Sequence, residues 1–218
     1  MLDYIKNLLR EADTIIAINV RFGEMTTDGY ELFDLPKMSA QLIHSHISDA
    51  ELGKIYIADL PLQASPNAMA EALADIMLDE DETRRAWCAD AKESYDASFT
   101  IAPQLGALDM GAVLAHIRTV MPPDAIITNG AGNFAIWPGK FIKYNKDMRL
   151  LAPQSGAMGY GLPAALAAKA CDPDRFGLCF AGDGDFQMNC AELGTAMQAG
   201  LYPIVLIVNN ASYGTIRM

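Results

Sequence analysis

The sequence predicts an α/β fold built on parallel sheets, and three observations support this class. Two continuous apolar runs, FGLCFAG at 176–182 and PIVLIVNN at 203–210, are typical of strands that are covered on both faces. A helical pattern separates these two runs, as in a strand–helix–strand unit. Strand and helix patterns also occur together in the first part of the chain. Two linked α/β regions are therefore the simplest architecture.

The first α/β region extends over residues 1–80. Its elements are, in order, the helix DYIKNLLREAD, the strand TIIAINV, the strand QLIHSHI, the short helix DAELGKI and the helix SPNAMAEALADIML. Ser65 is placed to cap the last helix, and Pro66 takes its first position, where a missing N–H is tolerated. The charged segment DEDETRRAWCADAKESY then predicts a surface helix that leads into a linker, and we assign residues 81–107 to this helix and linker.

The second α/β region covers residues 108–218. Its elements are, in order, the helix LDMGAVLAHIRTVM, the strand AIITN, a glycine-rich loop, the segment RLLAP, a helix at Met158 and the strand–helix–strand unit of 176–210. Within that unit, Asn189 can cap a helix that continues to Ala199. Gly200 and Pro203 then end this helix.

Two oxygen-bearing side chains follow the strands of this unit. Asp183 comes directly after FGLCFAG, and Asn210 ends PIVLIVNN. A strand–helix–strand unit returns both strand ends to one edge of the sheet, so we expect the two side chains to lie side by side in the ligand-binding crevice. A carboxylate, an amide oxygen and a nearby backbone carbonyl suit Mg²⁺, which completes its shell with phosphate and water. Gly182 and Gly184 let the backbone approach a diphosphate.

Two other interpretations of the same residues are open. A GDG tripeptide is a common turn, and a paired amide at a strand end can simply turn the chain. A nucleotide-binding Rossmann unit is the competing enzyme interpretation. The G-x-G-x-x-G motif of such a unit does not match this segment, because GDGDFQ has an acid between its two glycines and no glycine at the third glycine position.

The order of several motifs resembles thiamine-diphosphate-dependent enzymes, in their acetolactate-synthase-like branch. GDG followed by a helix and closing in NN is similar to the cofactor signature of this family. The other matching segments are IITNGAGNFAIW at 126–137, QSGAMGYGLPAALAAK at 154–169, and INVRFGEMTT with LIHSHISDAELGKIYIADLP in the first region. The resemblance implies a parallel-sheet thiamine-diphosphate-binding fold at 108–218, preceded by part of a Rossmann-like middle domain.

The resemblance also assigns roles to individual residues. Asp183 and Asn210 match side-chain ligands of Mg²⁺, and the third ligand, a main-chain carbonyl, falls on Ser212. The positions assigned to cofactor binding are Ala131, Gly132, Asn133, Phe134, Gly156, Met158, Gly182, Asp183, Gly184, Asp185, Asn210 and Gly214. Tyr213, Thr215 and Ile216 are also assigned to cofactor binding and are expected to face the reactive centre. Asp185 departs from the small hydroxyl residue that is common at its position, so its acid must point away from the phosphates or cap the helix. Phe134 supplies no hydrogen-bond donor where many relatives have one.

Met158 is the residue to which the resemblance gives a catalytic role. In the family, a bulky side chain at this position wedges between the two rings of the cofactor and holds it in a bent conformation. Such a role is catalysis by positioning, because the cofactor itself carries the electron-sink chemistry. Core filling by a flexible side chain is the other interpretation of Met158.

The implied reaction is decarboxylation of a 2-keto acid followed by carboligation to a carbonyl acceptor. There are two alternatives: a simple 2-keto acid decarboxylase of the same family, and a non-catalytic assembly fragment. Nothing in the chain resembles the pyrimidine-binding domain whose glutamate activates the cofactor. We therefore expect an incomplete chain that needs a second chain with that domain, and a homo-oligomer when intact. INVRFGEMTT lacks the acidic and basic pair that follows Arg-Phe in acetolactate synthases, which argues against bound FAD.

Composition excludes several other classes of function. The net charge of −11 argues against nucleic acid or an anionic membrane as a partner. The chain is 51% hydrophobic but has no apolar run long enough for a membrane span, and a cytoplasmic location is expected. The four cysteines lack paired metal-ligand spacing, and reduced, buried thiols are expected. His44 and His46 alternate along one strand, which predicts partly exposed structural histidines on one face.

Overall fold

The described residues of this computed structural model are 1–104, 106, 108–212 and 214–217, and they divide into two compact units, 1–98 and 99–218. Both units combine strands with helices, and every strand pair described in them is parallel. The predicted α/β class is confirmed. In the described part of the chain, no helix is both long and apolar enough to cross a membrane.

The first unit is a small parallel sheet with helices around it. Its elements are α1 (Asp3–Glu11), β1 (Thr14–Ile18), β2 (Gln41–His46), β3 (Leu60–Gln63), α2 (Pro66–Ala74) and α3 (Glu82–Ala97). The strand order is β1-β2-β3 among the described residues, with Ile16 opposite Ile43 and His44 opposite Pro61. The Ser65 hydroxyl accepts a hydrogen bond from Ala68 N at 3.2 Å, as a helix cap should.

The first unit differs from the sequence prediction at two points. DAELGKI forms only a 3₁₀ turn at Asp49–Glu51, because Gly53 takes a positive φ of 74° and ends it. The strand β3 was not predicted, since it is four residues long and contains Pro61. A proline is tolerated there because β3 is an edge strand of the described sheet.

The histidines of β2 are buried, which corrects the expectation of partial exposure. His44 is 1% exposed and His46 is 3% exposed. The His44 ring packs edge-on against Phe22 with ring centroids 4.9 Å apart, and its Nε2 lies 2.9 Å from the Val20 carbonyl oxygen. Both rings therefore belong to the core of the first unit, together with Tyr56.

The second unit contains the sheet that carries the predicted ligand crevice. Its elements are α4 (Met110–Val120), β4 (Ile126–Asn129), α5 (Ile136–Phe141), β5 (Arg149–Leu151), α6 (Gly161–Cys171), β6 (Gly177–Gly182), α7 (Asp183–Asn189), α8 (Glu192–Ala199) and β7 (Ile204–Val208). The strand order is β5-β4-β6-β7 in the described residues. The strands β4 and β6 are fully buried in the centre, as the apolar run of β6 predicts. The expectation that the run of β7 is also covered on both faces is wrong, because β7 lies at an edge of the described sheet and Ile204 and Ile207 are exposed.

The helical part of the 176–210 unit differs from the prediction. A separate helix, α7, starts at Asp183 and ends at Asn189, and α8 follows with Ala191 as its N-cap residue. Asn189 is therefore not the cap of the helix that continues to Ala199. Gly200 does end α8, in a left-handed conformation with φ of 66°. Met158 also lies outside a helix, in the turn before α6.

The cysteines are free thiols, but the expectation that they are buried holds only in part. Cys179 is buried in β6 and Cys190 is half-buried, whereas Cys88 and Cys171 are exposed.

Candidate functional site

The strand register brings the two predicted ligand positions to the same edge of the sheet. Gly182 at the end of β6 pairs with Val208 at the end of β7. Asp183 follows Gly182 directly, and Asn210 lies two residues beyond Val208. Both side chains border one cavity of about 550 Å³, a volume within the range of small-molecule sites.

This cavity gathers the residues that the sequence singled out. Its lining includes Ala131, Gly132, Asn133, Phe134, Gly156, Met158, Gly182, Asp183, Gly184, Asp185, Asn210, Ser212, Gly214, Thr215 and Ile216. Tyr213 lies outside the described residues. A second hollow of about 310 Å³ borders the first and shares Asp183, Gly184 and Ser212 with it. Segments that are far apart in the sequence thus meet around Asp183.

The chain after β7 folds back through two side-chain turns. The Asn209 Oδ1 accepts a hydrogen bond from Ala211 N at 2.7 Å, and the Asn210 Oδ1 accepts one from Ser212 N at 3.0 Å. Ala211 takes a positive φ of 51° in this turn. An amide oxygen has two lone pairs, so Asn210 keeps one acceptor site for a ligand.

The oxygen donors of this region fit a hard cation that shares its shell with a ligand. Asp183 offers a half-buried carboxylate, and Asn210 offers an exposed amide. No cluster of three or more His, Cys, Asp or Glu side chains occurs among the described residues. A cation bound at Asp183 would therefore draw most of its ligands from backbone, water or a bound phosphate, which suits Mg²⁺.

The loop after β4 is connected to the segment after β7. The Thr215 hydroxyl donates to the Asn133 Oδ1 at 3.0 Å. A Cβ at Gly214 would lie 3.1 Å from the Asn133 Nδ2 and 3.5 Å from the Asn210 Nδ2. The two amide side chains, Asn133 and Asn210, thus flank the same short stretch of backbone at the cavity.

Phe134 is part of the wall rather than a polar contact. Its side chain is buried and packs in the main apolar core of the second unit. A Cβ at Gly182 or at Gly132 would lie 2.8 Å from the Phe134 ring. The lack of a side chain at Gly182 is therefore required by packing against this ring, a reason that the sequence analysis did not identify.

Asp185 borders the cavity but is only 2% exposed. Its Oδ1 accepts hydrogen bonds from Gly159 N at 2.7 Å and Ala131 N at 3.2 Å. Burial raises the pKa of the Asp185 carboxyl above its ordinary range, and hydrogen bonds from the backbone amides of Gly159, Ala131 and Gly182 partly oppose this rise. Backbone amides thus occupy the Oδ1 of this buried carboxyl group.

An apolar wall of the cavity was missed in the sequence analysis. Its members are Leu108, Met110, Val113, Trp137, Leu206, Ile207 and Val208. Met110 and Val113 are three residues apart on α4 and so share one helix face, a spacing that could have indicated a common surface. Trp137 gave no such signal, because the prediction treated its segment as loop whereas it lies in α5.

Comparison with known proteins follows the same division of the chain. A family model described as thiamine pyrophosphate enzyme, C-terminal TPP binding domain, matches residues 130–218. A second model, described as thiamine pyrophosphate enzyme, central domain, matches residues 1–73. The two models together match most of the chain.

Curated relatives carry names from one branch of that family. An acetolactate synthase large subunit of Parasynechococcus marenigrum (strain WH8102) is 32% identical over 217 residues, covering 98% of this chain and 34% of the relative. An acetolactate synthase of Mycobacterium avium is 30% identical over 218 residues, covering 96% of this chain and 34% of the relative. An acetolactate synthase isozyme 1 large subunit of Escherichia coli (strain K12) is 32% identical over 214 residues, covering 96% and 37%. The chain thus spans about a third of the length of these relatives.

Proposed function

The chain belongs to the thiamine pyrophosphate enzyme family, and from this premise we propose that its second unit binds the diphosphate of thiamine diphosphate through Mg²⁺. We propose further that it serves an enzyme that decarboxylates a 2-keto acid and joins the product to a carbonyl acceptor. The relatives described above are acetolactate synthases, and this reaction class agrees with their name. The single observation that carries the proposal is the meeting of Asp183, Asn210 and Ser212 at one cavity.

The polar side of the cavity would hold the metal and the diphosphate. Asp183 and Asn210 would ligate Mg²⁺ through side-chain oxygens, and Ser212 through its main-chain carbonyl. One carboxylate and one amide leave the site less negative than two carboxylates would, which favours a polyanionic diphosphate. The backbone of Gly184, together with the loop at Asn133, would contact the phosphate oxygens.

The apolar side of the cavity would hold the rings of the cofactor. Met158 is half-buried and borders the cavity from the turn before α6. Its side chain can support a ring system and fix its conformation, while Trp137 and Leu206 form an apolar wall. Bound thiamine diphosphate supplies the electron sink that decarboxylation of a 2-keto acid requires.

The activating acid is proposed to come from a partner chain. The described lining of the cavity includes the acids Asp183 and Asp185 but no glutamate. Asp183 is assigned to the metal, and Asp185 faces the backbone amides of Gly159 and Ala131. We therefore propose that a pyrimidine-binding domain on a second chain contributes a glutamate and that the working enzyme is a homo-oligomer. No role for FAD is proposed.

Titration with thiamine diphosphate tests the binding site. The chain has two tryptophans, so Trp87→Phe leaves Trp137 in the cavity wall as the fluorescent reporter. We expect thiamine diphosphate to change Trp137 emission in the presence of Mg²⁺ and to have little effect in EDTA.

Two variants in this background separate the metal site from unspecific binding. Asp183→Ala should abolish the Mg²⁺-dependent response, because it removes the charged ligand. Asp174→Ala is the matched control, since Asp174 is an exposed acid outside the cavity lining. An equal response in wild type and Asp183→Ala at millimolar cofactor would refute the proposed site.

A further inference from the structure

We propose that Asp185 and Asn189 are positioning residues that bind the N–H and the carbonyl group of Gly159 and thereby fix Met158 at the cavity. We name these two side chains, with the Gly159 backbone that they bind, the Gly159 clamp. The inference rests on the proposed function, because it assigns Met158 to the rings of thiamine diphosphate.

The clamp is formed by two residues one turn apart on α7. Gly159 N donates to the Asp185 Oδ1 at 2.7 Å. The Asn189 Nδ2 donates to the Gly159 carbonyl oxygen at 2.7 Å. Residues four apart share one face of a helix, so a single face of α7 satisfies both polar groups of Gly159.

The backbone conformation and the surroundings of Gly159 both require glycine at this contact. Its φ is +83°, in the left-handed region that side chains disfavour. A Cβ at this position would lie 2.7 Å from the Asn189 Nδ2 and 3.0 Å from the Met188 Cβ. The close approach of α7 to the turn therefore depends on glycine at position 159. Because Met158 precedes Gly159 directly, we infer that this contact also restricts the backbone of Met158.

Asp185 extends the clamp to the loop after β4. The same Oδ1 also accepts from Ala131 N at 3.2 Å. A Cβ at Gly130 would lie 1.8 Å from the Asp185 Oδ1, and the three atoms nearest to that Cβ all belong to Asp185. The carboxyl group thus fills the space of a missing side chain and joins three segments: α7, the Gly130 loop and the Gly159 turn.

The placement of these contacts favours a role in the site over a role in general stability. Ala131 lines the cavity, and Gly159 directly follows the lining residue Met158. A buried acid is an expensive way to stabilise a fold, because an apolar group of similar size is often neutral or better. The backbone amides of Gly159 and Ala131, which both donate to Asp185, explain why an acceptor is needed at this point.

Amide hydrogen exchange, measured by NMR on the full chain without cofactor, tests the clamp. In Asp185→Ala we expect about tenfold faster exchange at the Gly159 and Ala131 amides, because each loses its acceptor. Asp185→Asn keeps an oxygen at the Oδ1 position and should remain close to wild type. Unchanged exchange at both amides in Asp185→Ala would overturn the clamp.

A second pair of variants tests the fit between Gly130 and Asp185. Gly130→Ala should lower Tm by about 4 °C in the wild-type background, because its methyl group meets the carboxyl group. In the Asp185→Ala background the same substitution should change Tm little, since the obstacle is gone. Equal effects in both backgrounds would show that the two positions are independent and would contradict the packing argument.

Two ligands separate positioning of Met158 from a structural effect. Asn189→Ala should weaken thiamine diphosphate binding by about tenfold, as the loss of one positioning hydrogen bond would. It should leave the affinity for inorganic pyrophosphate with Mg²⁺ unchanged, because pyrophosphate has no rings for Met158 to contact. Gln198→Ala, on the exposed surface of α8, is the control. Equal loss for both ligands would overturn the positioning role.

The exchange measurement also separates failure of this inference from failure of the proposed function. It requires no cofactor, so it reports on the hydrogen bonds of the clamp alone. A wild-type chain that bound pyrophosphate but not thiamine diphosphate, with Gly159 protected, would contradict the assignment of the cofactor and not the contacts of the clamp.

Discussion

At the scale of single residues, glycines define the shape of the cavity. The missing side chain of Gly182 faces the Phe134 ring, and that of Gly130 faces the Asp185 carboxyl group. At each of these positions, a neighbouring side chain occupies the space that a Cβ would need. This kind of information is absent from a motif such as GDG, which specifies residue types but not what lies opposite to them.

Gly182→Ala is expected to destabilise the second unit by about 1–3 kcal/mol, the usual cost of overpacking a rigid core. The new methyl group would lie 2.8 Å from the Phe134 ring, which is itself packed in the core. Urea denaturation measures the change. Gly139→Ala, at a position where a Cβ meets nothing within 4 Å, is the control and should be neutral or stabilising. Similar losses in both variants would refute the role of Phe134.

Asp59 makes the stability of the first unit depend on pH. The Lys37 ammonium at 2.7 Å and a hydrogen bond from Leu42 N at 3.0 Å hold the pKa of its carboxyl below the ordinary value of 3.8. At pH values above the pKa of the unfolded state, the lowered pKa of the folded state gives its full contribution to stability. This contribution is lost as the pH falls from 3.8 through the lower folded-state value.

Asp59→Asn should remove this part of the acid sensitivity. The variant is expected to be less stable than wild type at neutral pH, because the ion pair with Lys37 is gone. The difference should shrink as the pH falls below 3.8, where wild-type Asp59 becomes protonated in the unfolded state and then in the folded state. Thermal unfolding across this pH range is the measurement, and a gap that widened toward low pH would contradict the assignment.

At the scale of elements, helix α4 supplies part of the apolar wall and is fixed at its start by Asp109. The Asp109 Oδ1 accepts hydrogen bonds from Gly111 N at 2.7 Å and from Ala112 N at 3.3 Å. Met110 and Val113, which line the cavity, lie in the first turn after this cap. The orientation of this part of the wall therefore depends on the cap.

Asp109→Ala is expected to lower the free energy of unfolding by about 1 kcal/mol, the typical loss for an N-cap acid. Asp109→Asn retains a side-chain oxygen at the cap and should lose less. Chemical denaturation of both variants is the check. If the two substitutions were equally costly, the contribution would come from charge at the helix start and not from the capping hydrogen bonds.

The elements also show which parts of the site could be predicted from the sequence. The continuous apolar runs of β6 and β7 identify parallel strands, and their common edge follows from the connection between them. The division of the intervening helix into α7 and α8 could not be predicted. Asn189 has the side chain of a cap, but its amide donates to the carbonyl oxygen of Gly159, a residue far away in the sequence. Long-range contacts of this kind decide between two local alternatives.

The burial of His44 shows the same limit within the first unit. Alternation along β2 indicated one strand face but not whether that face is covered. It is covered by Phe22 and Tyr56, which come from loops before and after the strand. Short elements such as β3 are also hard to predict, because four residues with a proline give no periodic signal.

At the scale of the whole molecule, the chain consists of two α/β units that match the central and C-terminal domains of one enzyme family. The second unit brings a carboxylate, an amide and glycine-rich backbone to one cavity. The order of the motifs was informative because it implied this convergence. Other side chains of the wall, such as Leu108 and Met110, belong to segments without a motif and could be found only in the folded chain.

The most direct test of the proposed metal–diphosphate site is a crystal structure of the chain grown with thiamine diphosphate and Mn²⁺, an anomalous scatterer that replaces Mg²⁺. We expect one anomalous peak within about 2.3 Å of the Asp183 and Asn210 side-chain oxygens, with a diphosphate oxygen in the same coordination shell. A bound cofactor whose diphosphate lies elsewhere, or a metal ion with neither side chain as a ligand, would contradict the account.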